Sequence, residues 1–99
     1  MFSKKELFNA KNAGRKIENG AVFTVVNVGT FPDVDKDGND VTVTALQTDT
    51  GEIYTSISAT IANSIDMLDE IIAEVGAVTV KVNENVSNGG RKFYQLQII

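Results

Sequence analysis

The chain has no cysteine, no histidine and no tryptophan. Without cysteine there is no disulfide, no thiolate nucleophile and no cysteine-bound zinc. Without histidine the commonest general base and the commonest metal ligand are both missing. Serine therefore has no imidazole to activate it. No apolar run approaches the roughly 18 residues of a membrane span. The basic N-terminus lacks the apolar stretch of a signal peptide, so the expected location is the cytoplasm. Asp66, Asp69, Glu70 and Glu74 are the nearest thing to a carboxylate cluster on one element. Their spacing puts them on the wet side of a helix, so a solvated face is the expectation. No catalytic residue, metal or cofactor is expected, and the chain reads as a non-enzyme.

Ninety-nine residues, 42% apolar and 22% charged, make one ordinary domain with one core. The net charge of −4 excludes coating of nucleic acid by bulk electrostatics. The charge is uneven, however. Lys4, Lys5, Lys11, Arg15 and Lys16 place five of the nine basic residues in the first sixteen positions, while acid gathers over 33–40. Residues 1–19 read as a basic helical arm, opened by the capping-box spacing of Ser3 and Glu6. It is either a surface cap or an arm that touches phosphate.

Residues 20–99 read as a compact barrel. Ile61, Ile65, Leu68, Ile72 and Val75 recur at helical spacing, which predicts a core-facing helix over 58–76, closed by Gly76. Strand patterns precede it at 21–31, 41–48 and 52–57 and follow it at 77–83 and 91–99. In the second strand Val41, Val43 and Ala45 are assigned inward, against Thr42, Thr44 and Leu46 outward. In the third, Ile53 and Thr55 are assigned inward and Tyr54 outward. Gly29 marks an expected bend in the first strand. The fold class is mainly β with one or two helices: a five-stranded OB-fold Greek-key barrel, β-β-β-α-β-β, with a short N-terminal helix. A small α+β roll with the helix across an open sheet is the alternative.

Asp33, Asp35, Asp37 and Gly38 imitate the start of an EF-hand loop. The twelfth position is Thr44 rather than glutamate, so a strand-to-strand turn is the expectation. Asn88-Gly89-Gly90-Arg91-Lys92 lacks the spacing of a phosphate-binding loop. What remains is a recognition surface. The usual ligand face of an OB-fold is the outer side of its second and third strands, bordered by the loops joining strands one–two and four–five. Tyr54, Leu46, Phe31 and Phe93 are the candidate apolar contacts there, with Lys81, Arg91 and Lys92 as cations beside them and Lys4 and Lys5 in the arm. Aromatic rings stack on any base, and cations follow phosphates, so single-stranded DNA is the candidate partner. Phe31 and Phe93 have an equally good reading as cover for the barrel wall.

The strand pattern, the 58–76 helix and the Gly89-Gly90-Arg91-Lys92-Phe93-Tyr94 ending resemble the small single-stranded DNA-binding proteins of bacteriophages. That resemblance implies protection of single strands in phage DNA replication or recombination. Tryptophan, a common stacking residue of such proteins, is absent here. The alternative function is a phage protein–protein interaction module that binds or inhibits a host protein, which the acidic balance fits. A structural part of a phage particle with an exchanged arm is the third. Under each, the apolar edge Gln95-Leu96-Gln97-Ile98-Ile99 predicts a homodimer.

Overall fold

The computed structural model describes residues 5, 6, 8, 9 and 14–99. Its elements are β1 (Arg15–Lys16), β2 (Val22–Val34), β3 (Asp40–Thr48), β4 (Ile53–Ser56), α1 (Ala59–Val75), β5 (Val78–Val86) and β6 (Lys92–Ile98). Residues 1–4, 7 and 10–13 of the expected N-terminal helix, Ser3 and Lys4 among them, lie outside the described residues. Lys5, Glu6, Phe8 and Asn9 have helical backbone, but Arg15–Lys16 is a strand, so the helix expected over 1–19 is not matched at that end.

α1 forms where its apolar stripe and caps agree. The Ser58 hydroxyl accepts from the Ile61 N–H at 3.4 Å and donates to the Tyr94 carbonyl at 2.7 Å, tying the helix start to β6. At the far end Gly76 takes φ +86° and donates its N–H to the Ile72 carbonyl at 2.7 Å. Ile61, Ile65 and Leu68 are buried, whereas Val75 is 68% exposed because the helix has passed the sheet's edge there.

One sheet carries the rest, in the order β1-β4-β3-β2-β5-β6. β2 does the organising. Its first residues, Val22–Val25, pair antiparallel with β5, and Val25–Val34 pair antiparallel with β3. The sheet therefore curls about β2. The bend expected at Gly29 falls instead at a register shift between Val25 and Asn27. β4, β3, β2, β5 and β6 follow the strand order of an OB-fold, and α1 sits between β4 and β5 in the chain as expected. Two expectations are corrected. Among the described residues there are six strands rather than five, because β1 pairs in parallel with β4, Arg15 opposite Tyr54. The barrel is also not closed: β4 and β6 are not neighbours in the sheet, which stays a curled half-barrel.

Val25, Val28, Leu46, Val78 and Val80 from the sheet meet Ile65 and Leu68 of α1 in the main core. A second cluster joins Ile17, Ile61 and Val82, with Phe23, Tyr54, Tyr94 and Leu96 packed against it. A small third cluster, Ala45 with Phe31 and Ile53, lies on the other face of β3. Among the described residues no helix is long and apolar enough to cross a membrane.

Candidate nucleic-acid interface

Register decides which side chains face the ligand side. Leu46 is opposite Val28 on β2 and opposite Tyr54 on β4, and directly opposed residues share a face. Leu46 is 1% exposed in the main core. The outward assignment of Leu46 and Tyr54 is therefore corrected for both: that face is the interior. Tyr54 stacks on Phe23, ring centroids 4.7 Å apart and 5° from parallel. Only its hydroxyl reaches the rim, where it donates to Glu52 Oε2 at 3.2 Å, and Arg15 approaches the same oxygen at 3.4 Å. The hydrogen bond to the Glu52 carboxylate is the main cause that raises the Tyr54 pKa above its usual value, with a smaller contribution from desolvation.

The outer face of β2–β3–β4 is built instead from Phe31, Val43, Ala45, Ile53 and Thr55, since Phe31 pairs with Val43 and Ala45 with Thr55. A cleft of about 1000 Å³ opens beside it. Phe31 and Val43 line it, together with Arg91, Lys92 and Phe93 just after the β5–β6 turn. Lys16 of β1 and the start of α1 line it as well. The β2–β3 loop contributes Asp33, Asp35, Lys36 and Asp37.

Local chemistry sets the two loops that supply lining residues. In the β2–β3 loop the Asp35 carboxylate accepts from the N–H groups of Asp37 and Asn39, each at 2.9 Å, and Gly38 takes φ +83°. The turn expected at Asp37-Gly38 is what forms. Among the described residues no group of three metal-ligating side chains converges. In the β5–β6 turn Ser87 is bonded to Arg91 through both backbone and hydroxyl, and Gly90 takes φ +80°. That turn delivers Arg91, Lys92 and Phe93 to the cleft. Lys92 is 3.7 Å from Glu84, and both are solvent-accessible, so the pair is a weak restraint.

Phe31, Phe93, Arg91 and Lys92 are thus brought together, while Tyr54 and Leu46 are not. Lys81 is exposed on the outer face of β5, beyond the cleft lining, and Lys5 is exposed near the N-terminus. Lys4 lies outside the described residues. Sequence reasoning did not place Lys16, Lys36 or Val43 at the site. Lys16 belonged to the basic N-terminal run but gave no sign of entering the sheet. Val43 was assigned inward by an alternation that β3 does not keep.

A half-open OB-like sheet whose loops frame a cleft of rings and cations defines a small binding domain for a flat, anionic ligand. The family described as Phage Single-stranded DNA-binding protein matches residues 2–99, and the chain belongs to it. That is a family of DNA-binding proteins, not of enzymes. A relative, the "Single-stranded DNA-binding protein" of Bacillus phage B103, is 28% identical over 103 residues, spanning 95% of this chain and 84% of that protein.

Proposed function

We propose that this chain binds single-stranded DNA without sequence preference, through the Phe31–Phe93 cleft, in phage DNA replication or recombination. The observation that carries this is the convergence of three aromatic residues, Phe31, Phe93 and Tyr94, and four cations, Lys16, Lys36, Arg91 and Lys92, on one cleft of an acidic protein. Every base has a π-face to lay on Phe31 or Phe93, and every nucleotide has a phosphate for the cations. The acidic total charge disfavours contact of nucleic acid with the rest of the surface.

Titration of a fluorescent oligo-dT at two salt concentrations tests it. Binding should weaken steeply as salt rises, and Arg91→Ala/Lys92→Ala should lower both affinity and the salt slope, by about 0.7 for each phosphate no longer neutralised. Folded protein that fails to retain oligo-dT at low salt would refute the function. For the assembly, the unpaired edge of β6 with exposed Ile98 and Ile99 supports the homodimer. Sedimentation that finds only monomer at high concentration refutes that part alone.

A further inference from the structure

We infer that the outer face of the β5–β6 hairpin is a second binding track for the nucleic acid, continuing the strand out of the cleft along a ladder of side-chain amides that ends at Lys81. This rests on the cleft reading above, because Phe93 is the joint between the two. Phe93 lines the cleft and is also the first outward residue of β6.

Val80 and Val82 are fully buried, so Lys81, Asn83 and Asn85 project from the opposite face of β5. Leu96 is opposite Val82, which puts Phe93, Gln95 and Gln97 outward on β6. Two cross-strand bonds organise these side chains: Asn85 Nδ2 donates to Gln95 Oε1 at 2.6 Å, and Asn83 Nδ2 donates to Gln97 Oε1 at 3.0 Å. The amide planes are thereby held before any ligand arrives. Each pair still has an Asn carbonyl oxygen, an Asn N–H and a Gln amino group to offer. Such donor–acceptor edges match the exposed edges of unstacked bases. Successive outward residues are about 6.8 Å apart along a strand, and the run from Phe93 to Gln97 is about 13 Å, room for a few extended nucleotides.

Charge favours the same occupant. The chain carries 13 acidic residues against 9 basic ones, yet between Lys81 and Asn85 on β5 and between Phe93 and Gln97 on β6 the outward set contains no carboxylate. Glu84, the acid within that stretch, has the inward parity and is drawn to Lys92 at 3.7 Å. A phosphate leaving the cleft therefore meets neutral amides and then the Lys81 ammonium.

The test compares oligo-dT of about 5 and about 15 nucleotides, which bracket most of the roughly 4–16 nucleotides that one OB domain covers. Gln95→Ala/Gln97→Ala should weaken the long oligonucleotide about three- to tenfold, the worth of one or two net hydrogen bonds, and leave the short one within twofold. Gln95→Glu/Gln97→Glu, which keeps side-chain size, should weaken the long one further and still spare the short one. Lys81→Ala should lower the salt slope for the long one alone. Equal losses at both lengths, or no loss at the longer one, would overturn the inference. Arg91→Ala/Lys92→Ala serves as the arm for the cleft itself and should weaken both lengths. If it weakens neither, the cleft reading fails, while a length-dependent loss in the amide variants would still stand.

Discussion

β3–β4 and β5–β6 are antiparallel pairs on opposite sides of β2, yet their side chains obey different rules. In β5 burial alternates: Val78, Val80 and Val82 are buried and Lys81 is exposed. In β3 it does not. Thr44, Ala45 and Leu46 are 0%, 0% and 1% exposed in succession. One face of β3 meets α1 and the main core, and the other is covered by Phe31 and Ile53. A strand covered on both faces loses its alternation, so hydrophobicity no longer tells which side is the interior. The facing of side chains on the singly covered pair was legible, and that on the doubly covered pair was inverted.

The largest effect that would sharpen this contrast is on stability. Leu46→Ala should cost about 2–5 kcal/mol, because the neighbours of a core leucine relax only in part. Gln95→Ala on the open hairpin face should stay within about 0.5 kcal/mol. Urea denaturation measures both, and a near-neutral Leu46→Ala would erase the distinction. Next comes binding: Phe93→Ala should lose about 1–3 kcal/mol of oligo-dT affinity through lost stacking. Tyr54→Phe, which keeps the ring on Phe23, should lose almost none. The opposite ranking would return the site to the Leu46–Tyr54 face of β3–β4.

A smaller effect concerns the acidic end of the cleft. Asp33→Asn/Asp37→Asn should tighten oligo-dT binding about two- to fivefold at low salt, by relieving repulsion of the phosphates, with the gain fading as salt rises. Asp66→Asn/Glu70→Gln makes the same change in net charge on the exposed side of α1 and should do little. Equal gains in both pairs would mean that only total charge matters. The smallest effect is on titration. Because the Glu52 carboxylate holds the proton on Tyr54, the folded pKa lies above the unfolded value of about 10. The unfolded chain then ionises first, so the contribution is intact below about pH 10 and is lost as pH rises through the folded pKa. Glu52→Gln should bring the Tyr54 phenolate absorbance step down towards its ordinary position, and an unchanged step would remove Glu52 as the cause.

Much of the fold was legible because its signals are local. The stripe Ile61-Ile65-Leu68, the Ser58 and Gly76 caps and the valine alternation in β5 each act within a few residues. β1 was not legible: Arg15–Lys16 is two residues long and pairs with Tyr54 and Thr55, about forty positions away, so no periodicity announces it. The open seam between β4 and β6 escaped for a similar reason, since closure depends on which distant strand reaches an edge first. Of the expected contacts, Arg91, Lys92, Phe93 and Phe31 come together in one cleft, and each lies near a turn-rich segment that the sequence announces. Tyr54 was misread because the parity of its strand was: with Ile53 and Thr55 assigned inward, Tyr54 had to point outward, and a one-residue slip of that kind turns every side chain over.

The central claim is that DNA lies in the cleft lined by Phe31 and Phe93 and not over the Leu46–Tyr54 face of β3–β4. Photocrosslinking of oligo-dT to the folded protein, followed by peptide mapping, tests this most directly. Adducts should concentrate on the peptides that contain Phe31 and Phe93. Adducts centred on Tyr54, with those two peptides unmodified, would contradict it.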